Sequence, residues 1–138
     1  MNTNQEVEMG KLFFEDGIPG FSHLQFFQLI QEEENPLYLI QSIEEKDVSF
    51  WVVNPFIFFP SYEFELSTIT KEALRIDDKS PVAVFSIVTL RGNNQVTVNL
   101  KAPIVINLSN RMGRQVILQE DTYLIRQPLI GQQATEDK

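Results

Sequence analysis

Few side chains in this sequence combine the type and spacing that chemistry needs. His23 is the only histidine, and cysteine is absent. A Ser-His-Asp triad could recruit His23, but no serine sits in the glycine-flanked turn that exposes a nucleophile. A transition-metal site would have to be built from carboxylates, an unusual set for zinc. Glu63 and Glu65 stand two apart; on a strand both would project to one face, about 6–7 Å from each other, a spacing near that of a glycosidase pair. Phe64 and Leu66 on the other parity give the plainer reading, the solvated face of an amphipathic strand. Asp77-Asp78 and Glu44-Glu45 fall in turns and lack the oxygen-ligand spacing of a calcium loop. Neither glycine-rich phosphate-binding pattern occurs. The aromatic set Trp51, Phe56, Phe58, Phe59 and Tyr62 has the chemistry to stack bases but lacks basic neighbours, so core packing is the expected use. A small-ligand-binding barrel or a carboxylate-dependent hydrolase stays open as an alternative, and it would need Glu63, Glu65 or His23.

The elements that would position these residues are mostly strands. Alternation or short apolar runs mark strands over 6–14, 26–30, 37–42, 49–53, 62–66, 82–90, 96–107 and 110–118, with a short extended piece over 123–129. The register of the first shifts at Gly10, the mark of a bulge. "EDGIPGF" (15–21) and "RGNNQ" (91–95) are turn chemistry, the second a hairpin. The single helical stretch is "LSTITKEALRI" (66–76), capped by Ser67 or Thr68, with Ile69, Ala73 and Ile76 at helical spacing. Short strands with turn signals every 8–12 residues predict an all-β fold, a small antiparallel β-barrel-like or sandwich domain with one short α-helix. Residues 1–129 form one domain, and the polar stretch 130–138 is expected to be a flexible tail.

The stretch "VTVNLKAPIVIN" (96–107) alternates through a proline. Val96, Val98, Leu100, Ala102, Ile104 and Ile106 share one parity, which the frame points inward. Asn99, Lys101, Pro103, Val105 and Asn107 share the other. Small Ala102 beside Pro103 suits a corner where the chain leaves one sheet for another, because the missing N–H then needs no partner. The outward row reads on pattern alone as an edge guard against strand pairing.

Composition bounds the function. The chain has 138 residues, 43% of them hydrophobic, with 11 phenylalanines, enough for a packed core without staples. The start "MNTNQEVEMG" lacks the basic and apolar regions of a signal peptide, and no apolar run approaches the roughly 20 residues of a membrane span, so a soluble intracellular protein is expected. The net charge is −8, unevenly placed. Residues 1–70 hold 12 acidic and 2 basic side chains, while residues 71–138 hold 7 acidic and 9 basic. An acidic half repels nucleic acid and anionic membranes and attracts a basic partner.

Five blocks carry a resemblance: "FEDGIPGF" (14–21), "VSFWVVNPFIFFPSYEFEL" (48–66), "VTVNLKAPIVIN" (96–107), "NRMGRQVIL" (110–118) and "YLIRQPL" (123–129). In this order they resemble the bacterial flagellar assembly factor family, FliW. The resemblance implies a non-enzymatic, cytoplasmic, β-barrel-like protein without catalytic residues, cofactor or metal, and monomer is the default expectation. It implies two protein partners, flagellin and the RNA-binding translational regulator CsrA, and no direct contact with nucleic acid or membrane. Flagellin that accumulates would occupy the factor and free CsrA to repress flagellin mRNA; secretion of flagellin would let the factor recapture CsrA. On charge, Glu32, Glu33, Glu34, Glu44, Glu45 and Asp47 are the expected contacts for the basic regulator. Under the resemblance the row around the proline also reads as a docking surface, with Asn99, Lys101, Pro103, Ile104, Asn107 and Arg111. The aromatic connector 56–62 is a third candidate.

Overall fold

Strands with one apolar face must bury it, and seven of the nine found among the described residues do so by closing into a ring. The computed structural model describes residues 6–32 and 36–129. Strands β1 (Glu6–Phe13), β2 (Phe26–Glu32), β3 (Tyr38–Ser42) and β4 (Ser49–Val53) form an antiparallel meander. Helices α1 (Pro55–Phe58) and α2 (Thr68–Leu74) follow, then β5 (Val82–Arg91), β6 (Gln95–Val98), β7 (Ile104–Asn107), β8 (Met112–Gln115) and β9 (Gln127–Pro128). Hydrogen bonding runs β4-β3-β2-β1-β8-β7-β5, and β5 returns to β4 through Val52–Ile87 and Val53–Ser86. Seven strands thus make a barrel, which removes most exposed edges. Every junction is antiparallel except β1–β8, which meets in parallel at Phe13 and Met112.

Long β5 belongs to two sheets. Its residues 82–85 pair with β7 inside the barrel, while residues 88–91 pair with β6, which carries β9 on its other edge. Two cores result. Leu12, Phe14, Phe27, Ile40, Val52, Ile104 and Ile106 fill the barrel, with Phe14 and Phe27 edge to face at 5.4 Å. Val53, Tyr62, Val98, Leu100 and Leu118 fill the space beneath the side sheet. Burying each such side chain is worth about 1.5–3 kcal/mol.

The bulge forms as the sequence predicts. The β1–β2 register slips between Glu8 and Lys11, and Gly10 takes φ 115°, where any side chain would collide with the Arg111 guanidinium. The hairpin at 91–95 also forms, with Asn93 and Asn94 at positive φ as a primed turn requires.

Three expectations are corrected. The stretch 62–66 is not a strand, because the Tyr123 hydroxyl takes the place of a ladder partner at Glu63: it accepts from the amide and donates to the carbonyl, both at 3.1 Å. Helix α2 is capped by Ser67, whose Oγ accepts from the Thr70 amide at 3.1 Å, and it ends at Arg75 in the left-handed region. Its buried face is Thr70 and Leu74, not Ile69, which is 68% exposed. A second short helix, α1, is added by the Asn54 cap and Pro55 at the first turn.

The chain changes sheet within 96–107, as expected, but through a break rather than one bent strand. β6 ends at Val98 and β7 begins at Ile104. Between them Asn99 Oδ1 accepts from the amides of Lys101 and Ala102 at 3.1 and 3.0 Å, an Asx turn that hands the chain from the side sheet to the barrel.

Candidate functional site

The first acidic candidate is the β3–β4 turn. Buried Ser42 accepts from the amides of Glu44 and Glu45 at 3.1 and 2.9 Å, which tightens the turn. Glu44 Oε1 then accepts from the amides of Gln25 and Phe26, at 3.0 and 3.1 Å, and clamps the turn onto the start of β2. Glu44 is therefore a structural brace as well as a charge. Glu45 stands 3.6 Å from His23 Nε2, both side chains more than half exposed, and Asp47 faces solvent. His23 thus belongs to this exposed turn cluster. Glu32 ends β2, while its side chain, and Glu33 and Glu34 entirely, lie outside the described residues.

The corner row is half covered: Asn99 and Lys101 are half-buried and Arg111 is exposed, and the rest is buried. Pro103, Ile104, Val105 and Asn107 are buried, because β7 lies between β5 and β8 with its outward face covered as well as its inward one. Asn107 Nδ2 donates to the carbonyls of Leu74 and Arg75 at 2.9 and 3.2 Å and so pins the end of α2 against β7. Lys101 folds onto the later chain, donating to the Glu120 carbonyl at 2.6 Å and standing 3.6 Å from Asp121. Arg111, exposed and at φ 65°, accepts from the Phe13 amide through its carbonyl and lays its guanidinium against Gly10 at the bulge. Asn99 serves the Asx turn. These residues frame the corner.

The aromatic connector divides. Phe58 and Phe59 pack against the second core, while Phe56 and Ile57 are exposed, as is Trp51 on β4. Tyr62 lies at the centre, its ring 4.7 Å from Tyr123, 5.5 Å from Phe56 and 5.6 Å from Phe64. Its hydroxyl donates to the Leu100 carbonyl at 2.8 Å. Burial first, then Tyr123 and Glu120, push that hydroxyl above its ordinary pKa. Beside it, Phe58, Phe59, Pro60, Leu100 and Tyr123 line an open aromatic cavity of about 490 Å³.

Glu63 and Glu65 are both exposed, and the fold gives them a companion the sequence did not reveal. Glu120 joins them around a groove of about 410 Å³ floored by Phe64 and Tyr123. Glu65 and Glu120 also border a second groove of about 390 Å³, where Ile69 and Ile117 stand exposed. Among the described residues no cluster of three or more acidic or histidine side chains is placed to hold a metal. The local signal for Ile117 was the run Val116-Ile117-Leu118, apolar on both parities, one of which had to face out. Nothing local linked Glu120 to Glu63.

Among the described residues no helix is long and apolar enough to cross a membrane. The family model described as FliW protein matches residues 2–129. The flagellar assembly factor FliW of Caldicellulosiruptor saccharolyticus is 42% identical over 116 residues, covering 83% of this chain and 76% of its own. That of Bacillus subtilis is 41% identical over 123 residues, covering 88% and 86%. A crystal structure of the flagellar assembly factor FliW superposes with a TM-score of 0.82 at 38% identity, over 89% of each chain. The chain belongs to the FliW family of flagellar assembly factors.

Proposed function

We propose that this protein acts in the cytoplasm as a non-enzymatic binding partner of flagellin and of CsrA, and that it relieves CsrA repression of flagellin mRNA by partner exchange. The observation that carries the CsrA half is the exposed acidic β3–β4 turn, with Glu45 and Asp47 held outward by the Glu44 clamp. An RNA-binding regulator presents lysine and arginine where it meets phosphate. An acidic turn complements such a surface, speeds the encounter, and repels the RNA that the regulator carries. Exchange then needs no chemistry. Flagellin that occupies the factor lowers the free concentration available to CsrA, and by linkage CsrA weakens flagellin to the same degree if the two binding events are coupled.

Calorimetric titration with purified CsrA, at two salt concentrations and with flagellin either absent or already bound, tests this. The expected result is salt-weakened binding that flagellin suppresses. Joint reversal at Glu45→Lys and Asp47→Lys should slow association and flatten the salt dependence. No complex with either partner overturns the proposal, and unchanged association in the charge-reversed protein overturns the role of the turn.

A further inference from the structure

The groove between α2 and residues 114–120 combines three features that neither the acidic turn nor the aromatic cavity shares. The first is apolar. Ile69 and Ile117 are 68% and 63% exposed, come from separate elements and line the same depression. A single exposed isoleucine is ordinary, but two converging on one groove form a patch that gains by being covered.

The second is an open backbone edge. The Val116 and Leu118 amides donate to the carbonyls of Pro103 and Lys101 at 2.9 and 2.8 Å. In an extended chain the intervening amide points the other way. The Ile117 amide accordingly makes no hydrogen bond among the described residues and is free to pair with an added strand.

The third is charge. Glu65 and Glu120 border this groove, and Glu63 stands in the adjoining one. None of the three carboxylates has an ion-pair partner among the described residues. One cation, Arg114, also lines the groove, 3.9 Å from Asp16 outside it, and Lys101 is held by Glu120 O and Asp121. Two carboxylates against one arginine leave the rim net negative, which favours a cationic occupant.

We propose that this groove docks an extended peptide segment that carries aliphatic side chains beside lysines or arginines, pairing with the edge at Ile117 and placing its cations against Glu65 and Glu120. The inference does not rest on the flagellin and CsrA reading, and its test uses neither protein, so either can fail alone.

The probe is a synthetic peptide of alternating lysine and isoleucine or valine, with an all-lysine peptide and a version with lysine replaced by glutamate as controls. Backbone amide shifts of the labelled full chain are followed by NMR during titration. The expected result is saturable binding of the alternating peptide, weakened by salt, with the largest shifts at Ile69 and residues 116–118. Ile117→Ser should weaken binding about fivefold or more, and the pair Glu65→Lys and Glu120→Lys about tenfold at low salt. Both sites are exposed, so folding is not at stake. Leu90→Ser, at a residue 71% exposed on the β5–β6 hairpin, should change nothing. Shifts centred on another face, equal binding of the all-lysine peptide, or indifference to Ile117→Ser would overturn the proposal.

Discussion

Asn107 decides whether the corner is architecture or interface, and Asn107→Ala separates the two. The side chain is 1% exposed and makes three hydrogen bonds: to Leu74 O at 2.9 Å, to Arg75 O at 3.2 Å, and from the Ser109 amide at 2.9 Å. After truncation Leu74 O keeps Asn110 Nδ2 at 3.1 Å, and the exposed Ser109 amide turns to water. Arg75 O loses its side-chain partner at the point where α2 must stop. At about 1 kcal/mol net per bond the loss is about 2–3 kcal/mol. For a domain of this length that lowers Tm by roughly 6–12 °C. Thermal and urea unfolding followed by circular dichroism read this directly. Asn107→Asp is the sharper arm. It keeps the acceptor for Ser109 but turns a carboxylate toward two carbonyl oxygens. The folded-state pKa of the introduced carboxyl must then rise above its unfolded value. Its stability contribution is present below the unfolded pKa and lost as pH rises through the folded one, so the deficit should grow from acid to neutral pH. A loss under about 0.5 kcal/mol for Asn107→Ala, or lost partner binding at unchanged Tm, would refute the reasoning and restore the residue to a surface role.

Four further outcomes follow from single contacts. Ser86 is fully buried and its Oγ has no partner among the described residues, so Ser86→Ala should leave stability unchanged or raise it by up to about 1 kcal/mol in urea unfolding; a clear loss would contradict an unsatisfied hydroxyl. A Cβ on Gly113 would lie 2.7 Å from Phe14 Cζ in the fully buried barrel core, so Gly113→Ala should cost about 1–3 kcal/mol, and a parental melting curve would refute that packing. The Lys79 amide, then the Ser80 hydroxyl, hold the Asp77 carboxyl below its ordinary value of 3.8. That contribution is complete above pH 3.8 and disappears as pH falls through the lower folded-state value, so Asp77→Asn should flatten the acid limb of the Tm–pH curve; an unchanged limb refutes it. Glu44→Lys should lose about 1–2 kcal/mol through its two amide partners, whereas Glu45→Lys should melt like the parent, and equal melting of the two would refute the clamp.

The alternation of apolar residues carried much of the fold because a half-buried strand has only two faces. It located most of the barrel strands, the bulge at Gly10 and the hairpin at Asn93-Asn94, since each depends on its own neighbours. It failed where burial came from elsewhere. The inward frame through 96–107 held at Val98, Leu100, Ile104 and Ile106, which are buried, while Val96 and Ala102 are half-buried. The error lay in the other face, which parity labels outward whether or not something covers it. Here β7 sits between two strands with α2 against it, and the run Ile104-Val105-Ile106, apolar on both parities, was the local sign of that. The extended reading of 62–66 failed for a related reason. A hydroxyl distant in sequence, on Tyr123, occupies the backbone positions that a strand partner would take.

Barrel closure also explains why the interaction chemistry sits at the margins. In a ring most strands have both edges bonded, so backbone pairing with a partner is confined to where the chain leaves the ring. The side sheet ends at β9 with Pro128, which cannot donate and so blunts that edge. The amide at Ile117, just past the end of β8, has no such guard. Glu65 and Glu120 border the groove at that opening, and Tyr123 ties the segments that carry them together through its bonds to Glu63. A charged rim bound in this way to a rigid barrel keeps its position while the groove is empty, so an entering segment meets an ordered surface and orders mainly itself.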